Sequence, residues 1–426
     1  MPANTHIAII GAGAAGLAAA IFAAETRPDL KIVLFDSARS LGAKILVSGG
    51  GRCNVTNTVI SAKDFHASPR IVERVLKRFT RHDTVQWFES LGVPLKQEAT
   101  GKMFPVSNKA RTVLQALLHR CEELGIEIRT HHRVQAIRKA HRQFQIQTDV
   151  EVFTAQRVIM ATGGKSLPKS GSDGSGWALI QQLGHTVTEC HPALVPLVLS
   201  EDFFHKTLSG TSHEARLTTT VDGKIVDRRK GSVLWTHFGI SGPGLMDASR
   251  FWVKGHAQGS HTTLSMSFFP EQTFEELDRW LLDTAAQQQR LLSSLLSQSL
   301  PQRVAKALCA YVAQKISFPP ESHRPDCELS ALPISQLPRS SRRVLARMLT
   351  ELPLPVERAR GWNFAEVTAG GIPLQEVNVN TMESRKIPGL YFVGEILDCD
   401  GRIGGFNFQW AWATGFIAGG KVSQGL

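Results

Sequence analysis

The sequence lacks any uninterrupted apolar run near the ~20 residues that a membrane-spanning helix needs. Its 426 residues are 42% apolar and 20% charged, which are ordinary proportions for a globular protein. No basic flank precedes the first apolar run, so the start MPANTHIAII does not match a signal or transit peptide. We therefore expect a soluble, cytoplasmic protein of two or three packed units, with no membrane partner.

The sequence also lacks the cysteine spacings that are typical of disulfide frameworks and zinc sites. It has no CxxC pair and no short Cys/His spacing, so no metal centre is expected. It shows no internal repeat and no low-complexity linker. The six cysteines are scattered along the chain, at Cys53, Cys121, Cys190, Cys309, Cys327 and Cys399.

Acidic residues are in the minority. The chain has 48 Lys and Arg against 37 Asp and Glu, which gives a formal net charge of +11. Such an excess favours a polyanionic partner such as nucleic acid. The alternative is a basic surface that serves only solubility.

The first 36 residues combine a strand, a glycine turn, a helix and a second strand. The apolar run HIAII precedes GAGAAG and the helix-favouring LAAAIFAAE, and the next strand, KIVLFD, ends on Asp36. In this context Gly11 makes the turn, Gly13 admits a pyrophosphate and Gly16 allows close helix packing. The helix N-terminus offers amide donors to phosphates, and Asp36 can accept hydrogen bonds from a ribose. We predict a dinucleotide site, with a plain glycine-rich turn as the alternative.

Only one such fingerprint is present, which bears on the choice of cofactor. The segment GSDGSGWALIQQLGH contains two glycines but follows a loop, so we interpret it as the start of a helix. The fingerprint, the strand end ATGG and the late segment YFVGE together suggest FAD held by three separated segments. NAD(P)H would then dock transiently as the reductant. The predicted FAD contacts are Gly11, Gly13, Ala14, Ala15, Gly16, Asp36, Lys44, Gly49, Gly50, Gly51, Arg52, Cys53, Asn54, Val134, Ala161, Thr162, Gly163, Gly394, Glu395, Gly404, Gly405, Phe406 and Asn407.

The predicted secondary structure of the middle of the chain differs from that of both ends. Strand-like runs and a hairpin around Asp222-Gly223 dominate residues 193–270, and helical patterns dominate 271–350. The α/β pattern returns at residue 351. We predict an α/β protein whose Rossmann-type FAD-binding domain comprises residues 1–192 and 351–426, with 193–350 as an inserted β-barrel-like and helical-bundle domain.

Several long segments resemble signatures of a known family. GAKILVSGGGRCNVTN, GKMFPVSNKARTVL, THFGISGP, AEVTAGGI and GLYFVGEILDCDGRIGGFNFQWAWATG are similar to those of the BaiN/YhiN-like FAD-dependent oxidoreductases. Cys399 stands where that family usually has an aliphatic residue. The resemblance implies a two-dinucleotide-binding-type FAD domain with an insert. It also implies one of three activities: bile-acid ene-reduction, aminoacetone oxidation or dihydrouridine synthesis in ribosomal RNA.

Of these activities, dihydrouridine synthesis fits the basic charge. Reduction of a uridine requires a hydride at C6 and a proton at C5, so a proton donor must face the flavin across the base. Cys53 and His237 are the candidate catalytic residues. The alternatives are that Cys53 only fills space beside the cofactor and that His237 only hydrogen-bonds a flavin carbonyl.

Three groups of basic residues are candidate RNA contacts, although each alone could be an ordinary surface feature. We expect the second and third groups to be free of nearby acids. We therefore predict an FAD-dependent, NAD(P)H-driven reductase of ribosomal RNA. A small-metabolite oxidoreductase and a non-enzymatic flavin-bearing RNA-binding factor remain as alternatives. The groups are Arg70, Arg74, Lys77, Arg78 and Arg81; Arg228, Arg229 and Lys230; and Arg339, Arg342, Arg343 and Arg347.

Overall fold

The computed structural model describes residues 3–287, 290–315, 329–424 and 426. Cys327 lies outside the described residues. The chain divides into two compact units, Met1–Pro192 with Ala365–Leu426 and Ala193–Phe364. Residues 351–364, which the sequence assigns to the end of the FAD domain, belong to the second unit because two strands between 352 and 359 pair within its sheet.

The α-helices of the described residues are α1 (Ala14–Thr26), α2 (Ala43–Gly51), α3 (Pro69–Leu76), α4 (Arg81–Ser90), α5 (Ala110–Glu123), α6 (Ser175–Gln182), α7 (Pro243–Ala257), α8 (Phe274–Gln287), α9 (Leu292–Leu296), α10 (Gln302–Ala313), α11 (Arg339–Glu351) and α12 (Phe406–Val422).

The strands of the described residues are β1 (Ala3–Ile10), β2 (Ile32–Phe35), β3 (Thr56–Asn57), β4 (Leu95–Gln97), β5 (Lys102–Pro105), β6 (Glu127–Arg129), β7 (Val134–Ala140), β8 (Gln143–Thr148), β9 (Val152–Met160), β10 (His191–Ala193), β11 (Leu197–Leu199), β12 (Ser212–Val221), β13 (Lys224–Thr236), β14 (Gly239–Ser241), β15 (Thr262–Ser267), β16 (Leu352–Pro353), β17 (Val356–Ala359), β18 (Val367–Ala369), β19 (Val377–Asn378), β20 (Glu383–Ser384) and β21 (Leu390–Phe392).

The first unit is built on a mainly parallel sheet in the order β19-β20-β21-β9-β1-β2-β6, and the hairpin β7-β8 joins it through β9. Strands β21, β9, β1, β2 and β6 run parallel. All four residues of β2 are buried, as expected for a parallel strand that is covered on both faces. This arrangement confirms the predicted α/β class.

Helix α12 packs unusually closely on helix α1. A Cβ added at Gly415 would lie 3.0 Å from the Ala15 carbonyl oxygen, and one at Gly419 would lie 2.6 Å from the Ala19 carbonyl oxygen. Ten consecutive residues of α1, from Ala15 to Ala24, are buried. The small side chains on both helices therefore allow the two ends of the chain to form one core.

The stretch from Phe65 to Phe88 has a helical pattern in the sequence, and it forms two helices, α3 and α4. The break lies at Thr80, whose hydroxyl accepts a hydrogen bond from the Asp83 amide (3.3 Å). The Asp83 carboxylate in turn accepts one from the Thr80 amide (2.7 Å). This capping box starts α4 afresh, and the basic residues of the stretch are consequently divided between two helices.

The second unit contains an antiparallel sheet in the order β16-β15-β12-β13-β14-β11-β17. The predicted hairpin at Asp222-Gly223 is present, because both residues have positive φ (49° and 77°) and Val221 pairs with Lys224. The helical pattern predicted from residue 271 onward begins, where residues are described, with three helices, α8, α9 and α10, and Pro301 precedes α10. In neither described unit is any helix long and apolar enough to cross a membrane.

One buried side chain, Gln409, joins α12 to the segment around β3 and α4. Its amide nitrogen donates to the Phe79 carbonyl (3.0 Å), and its carbonyl oxygen accepts from the hydroxyls of Thr56 (2.7 Å) and Thr84 (2.9 Å). Gln409 itself is 0% exposed. It therefore bonds three polar groups in the core, of which the Thr84 hydroxyl also donates to the Thr80 carbonyl (3.2 Å).

We predict that Gln409→Ala lowers the free energy of unfolding by about 2–4 kcal/mol, because the Phe79 carbonyl and the Thr56 hydroxyl lose their partner and the Thr84 hydroxyl loses one of two. Urea unfolding of the purified protein measures the change. Gln424→Ala, at an exposed glutamine just beyond the same helix, is the matched control. Equal stability of the two variants would contradict the assigned role of Gln409.

Candidate functional site

Three segments that are far apart in sequence meet at one edge of the parallel sheet. Ile10 of β1 pairs with Met160 of β9, and Met160 pairs with Phe392 of β21. The segments that follow are therefore the first glycine turn, the Ala161-Thr162-Gly163 turn and the Gly394-Glu395 turn. Ligands of open α/β sheets bind at this carboxyl edge, so the structure brings the predicted contacts together where such a site is expected.

The three glycines of the first turn have different surroundings. A Cβ at Gly11, where φ is 105°, would lie 2.4 Å from the Ala161 carbonyl oxygen, and one at Gly16 would lie 1.9 Å from the Gly11 carbonyl oxygen. A Cβ at Gly13 would meet nothing within 4 Å. Gly11 and Gly16 are thus required by the fold, whereas Gly13 faces open space of the kind a ligand could fill.

The start of helix α1 can bind an anion. Gly13 is the N-cap, no side chain caps the helix, and its first turn holds no acidic residue. The amides of Ala14, Ala15 and Gly16 are consequently available to a ligand. Asp36 is fixed nearby, because its carboxylate accepts hydrogen bonds from the amides of Ala12 and Ala38 (both 2.8 Å). Each carboxylate oxygen keeps a further acceptor position for a ribose hydroxyl. These residues fit the phosphate and ribose of a dinucleotide.

Lys44 and Glu395, two of the predicted FAD contacts, contact each other. Lys44 Nζ lies 2.6 Å from Glu395 Oε2 and donates to Ser166 Oγ (2.7 Å). Glu395 Oε1 accepts from Ser166 Oγ (2.8 Å) and from the Thr368 amide (2.9 Å). The two side chains are 25% and 17% exposed. This network ties α2 to the turns after β9 and β21, and it fixes the glutamate in place.

The glycine triplet 49–51 forms a distorted end of α2. Gly49, Gly50 and Gly51 have φ values of 56°, 68° and 83°. A Cβ at Gly49 would lie 2.8 Å from the Phe104 ring, whereas Gly50 has open space around it. The carbonyl of Ser48 accepts from the amides of Arg52 and Cys53, which closes the loop. The triplet therefore needs glycine for its backbone, independently of any ligand.

Cys53 is completely buried at 0% exposure and has a positive φ of 61°. Burial raises the pKa of its thiol to about 12, although a hydrogen bond with Ser48 acts in the opposite direction. A neutral, enclosed thiol of this kind is a poor proton donor. The geometry favours the alternative in which Cys53 fills space in the core.

The polar side chains beside Cys53 differ in whether they have partners within the protein. Arg52 pairs with Glu98 (2.5 Å) and stacks over the Phe104 ring (4.0 Å), so it has partners within the protein. Asn54 is 7% exposed and its Oδ1 has no hydrogen-bond partner among the described residues. Thr162 Oγ1 is a second buried atom of this type. Unsatisfied polar atoms at predicted contact residues are consistent with a ligand that completes them.

The last predicted segment begins α12. Gly404 and Gly405 have φ values of 124° and 96°, and a Cβ at Gly405 would lie 2.6 Å from the Thr56 backbone. Gly405 caps α12 without a side-chain cap, which leaves amides for an anionic edge of a ligand. The contact of Asn407 with FAD stays a prediction; its side chain bonds both the amide and the carbonyl of Gly401 (2.7 and 2.9 Å). It closes the loop before the helix.

Two further predicted contacts, Val134 and Phe406, have buried apolar side chains. Val134 is 8% exposed at the start of β7, and Phe406 is 5% exposed with its ring 6.1 Å from that of Phe65. Sequence reasoning missed Ser166, Thr368 and Gln409. Ser166 lies two residues after the strand end ATGG, and Thr368 lies in AEVTAGGI. The sequence shows their hydroxyl groups but not the partners that these groups contact.

His237 lies in the second unit, between β13 and β14. Its side chain is exposed, and its ring stands edge-on to Phe238 with centroids 5.1 Å apart. No group of three metal-ligating side chains is present in the described parts of either unit.

The first basic group forms an exposed surface, which we call the α3-α4 ridge (Arg70, Arg74, Lys77, Arg78 and Arg81). Lys77 pairs with Glu73 at 2.8 Å. The four arginines form no ion pair with any described residue. The ridge thus presents unneutralised positive charge to solvent.

The expectation that the other two groups are free of acids is wrong. Arg229 is largely buried and pairs with Asp227 (2.6 Å) and Asp247 (3.5 Å). Lys230 pairs with Glu271, and both Arg342 and Arg343 contact Asp278. Asp227 lies two residues before Arg229 on β13, whereas folding brings Asp247 of α7, Glu271 and Asp278 of α8 close to their basic partners. These residues are poorer candidates for RNA contacts than the α3-α4 ridge. Arg228 is exposed and forms no ion pair with an acid among the described residues.

Comparison with known proteins finds one family model and several relatives that match nearly the whole chain. The family model described as "HI0933-like protein Rossmann domain" matches residues 5–421. The chain is 34% identical over 425 residues to the 3-dehydro-bile acid delta(4,6)-reductase of Clostridium scindens, covering 98% of this chain and 99% of that protein. It is 29% identical over 410 residues to the ribosomal RNA dihydrouridine synthase of Escherichia coli, covering 95% of each.

Solved structures share the fold at low identity. A variant of the quinol fumarate reductase protein FrdA from Escherichia coli has a TM-score of 0.52 and 16% identity, covering all of this chain and 71% of that chain. The 3-ketosteroid delta1-dehydrogenase of Sterolibacterium denitrificans has a TM-score of 0.51 and 12% identity, covering 99% of both.

The contrast between Gly13 and Gly16 leads to a paired prediction. Gly13→Ala should leave the flavin-free fold as stable as the wild type but weaken FAD binding roughly tenfold or more, or about 1.4 kcal/mol, because its methyl group enters the open space beside α1. Gly16→Ala should destabilise the fold itself. Flavin absorbance of the purified proteins and thermal unfolding after removal of flavin measure the two effects. Full flavin content in Gly13→Ala would contradict the placement of the cofactor.

Proposed function

The chain belongs to the HI0933-like Rossmann-domain family, and from this premise we propose that it is an FAD-dependent reductase of ribosomal RNA. In this proposal it converts a uridine to dihydrouridine with NAD(P)H as the reductant. Bound FAD supplies the hydride for such a reaction. The protein's own residues bind the cofactor, hold the substrate and deliver a proton.

The proposed cofactor contacts follow from the carboxyl edge of the first unit. The uncapped amides of Ala14 and Ala15 would bind the pyrophosphate beside Gly13, and Asp36 would bind a ribose. The unsatisfied oxygens of Asn54 and Thr162 would accept hydrogen bonds from the same cofactor. The residues present therefore fit a dinucleotide of the FAD type.

The names of two relatives point to one type of reaction. One relative is named as a delta(4,6)-reductase of a 3-dehydro-bile acid and the other as a dihydrouridine synthase. A 3-oxo steroid with such double bonds and a uracil ring both have a carbon–carbon double bond conjugated to a carbonyl. This shared chemistry supports reduction of a conjugated double bond as the proposed reaction.

The observation that favours RNA as the substrate is the α3-α4 ridge. Arg70, Arg74 and Arg78 are spaced four residues apart, they are exposed, and they have no acidic partner among the described residues. Unneutralised arginines on one surface attract the phosphates of a nucleic acid. The net charge of +11 supports the same proposal.

Of the two predicted proton donors, we retain His237. Its imidazole is exposed and able to meet a substrate, whereas the Cys53 thiol is enclosed and its pKa is raised to about 12 by burial. The two nitrogens of an imidazole can both donate and accept a proton.

A small-molecule reductase is the second candidate. It is favoured by the 34% identity to the bile-acid reductase over nearly the whole chain. In that case the basic ridge has no part in catalysis.

We predict that deletion of the gene removes one dihydrouridine from ribosomal RNA, which mass spectrometry of the purified RNA detects. Return of the wild-type gene should restore it, and return of the Gly13→Ala variant should restore it poorly because that variant binds FAD weakly. Unchanged dihydrouridine in the deletion strain would rule out the ribosomal substrate and leave the small-molecule candidate.

The α3-α4 ridge gives a second prediction. Replacing Arg70, Arg74 and Arg78 with Gln should reduce the slope of log affinity for RNA against log salt by about 2, because each lost contact with a single strand contributes about 0.7. Replacement of Arg39, Arg111 and Arg142, which are exposed and remove equal charge, is the control. Equal slopes in the two triple variants would exclude the ridge as the RNA contact.

A further inference from the structure

The second unit carries an arginine between two phenylalanine rings. The guanidinium carbon of Arg360 lies 4.0 Å from the centroid of Phe238 and 3.5 Å from that of Phe364. We call these three residues the Arg360 stack. Neither the proposed reaction nor the family match assigns it a role.

Strand pairing explains why the Arg360 stack is assembled. Strand β11 pairs with β14 on one side and with β17 on the other. Phe238 immediately precedes β14 and Arg360 immediately follows β17, so the two residues flank the same strand. The Arg360 amide also donates to the Pro196 carbonyl (3.0 Å), and the Phe364 amide donates to the Gly361 carbonyl (3.1 Å). The stack is therefore held by backbone structure.

The outer member of the stack is exposed, which is unusual for an aromatic side chain in this protein. Phe364 is 45% exposed, and among the described residues it is the only phenylalanine, tyrosine or tryptophan that is exposed. An aromatic ring kept at the surface and supported from behind by a guanidinium is a typical platform for a planar ligand.

The charges around the stack favour a ligand with anionic groups. Arg360 forms no ion pair with any described residue, so the edge of its guanidinium retains N–H donors that suit a phosphate or a base carbonyl. Glu357 and Arg358, which precede it on β17, are both exposed, so the net charge contributed by this strand end is that of Arg360. The exposed imidazole of His237 adjoins Phe238. Planarity, stacking and positive charge together match a nucleobase with its phosphates.

We propose that the Arg360 stack binds an unpaired nucleobase of the RNA substrate, with the base lying on the free face of Phe364. This inference rests on the proposed function, because it names how the second unit recognises that substrate. Stacking on an aromatic ring does not depend on which base is present, so the stack contributes affinity for single-stranded RNA and the choice of uridine must come from elsewhere.

The test compares two labelled single-stranded RNAs of equal length, one of uridines and one of abasic riboses, by fluorescence anisotropy with the flavin-loaded protein. Phe364→Ala should weaken binding of the uridine strand roughly 5- to 150-fold, the range expected for one lost base stack. Its binding of the abasic strand should not change. Phe364→Trp should keep wild-type affinity, and Arg360→Lys, which keeps the charge but loses the planar group, should weaken the uridine strand only.

Ile225→Ala is the matched control, because Ile225 is an apolar residue of the same unit with similar exposure, 54% against 45%. Equal uridine-strand affinity of Phe364→Ala and the wild type would overturn the inference, as would equal losses in Phe364→Ala and Ile225→Ala. Loss of activity toward a 3-oxo-4-ene steroid without any change in RNA binding would also overturn it, and would assign the stack to an apolar substrate.

The outcomes separate this inference from the proposed function. If the wild type forms dihydrouridine and Phe364→Ala binds RNA equally well, only the inference fails. If ribosomal RNA keeps its dihydrouridine in the deletion strain but base-dependent binding requires Phe364, the stack is supported and the proposed reaction is wrong. If the wild type binds neither strand, both fail.

Discussion

The close approach of helix α1 to the end of strand β1 controls the architecture of the first unit. A Cβ at Gly16 would lie 1.9 Å from the Gly11 carbonyl oxygen, so no larger residue can occupy that position without moving the helix. Because α1 begins there, its amides are aimed along the carboxyl edge of the sheet, and α12 can pack against its alanines. The same contact therefore sets both the core and the position of the anion-binding amides.

The fold was predictable wherever local pattern and tertiary structure agree. The strand, turn and helix at the N-terminus and the Asp222-Gly223 hairpin follow from the positions of glycine and from apolar runs. Thr80 shows the limit of such reasoning. The helical pattern of the sequence continues across this residue, whereas the Thr80–Asp83 capping box starts a second helix there. Short-range hydrogen bonds of this kind outweigh a hydrophobic pattern at helix ends.

The candidate site was predictable in its backbone and less so in its side chains. Glycine-rich turns mark where a chain must bend or a ligand must approach, and the structure brings those turns together. Lys44 contacts Glu395 and Ser166, and Arg229 contacts Asp247, so these partners are distant in sequence and could not be anticipated. Arg229 is the clearest case, since a nominally basic run holds a buried ion pair with Asp227 and Asp247.

The enclosure of Cys53 has a consequence for the durability of a flavoprotein. Oxidation of cysteine by peroxide requires an accessible thiolate, and this side chain is neither accessible nor ionised at neutral pH. Reduced flavins that meet dioxygen generate peroxide. A thiol enclosed in this way escapes sulfenic acid formation, so this residue needs no reductase to repair it.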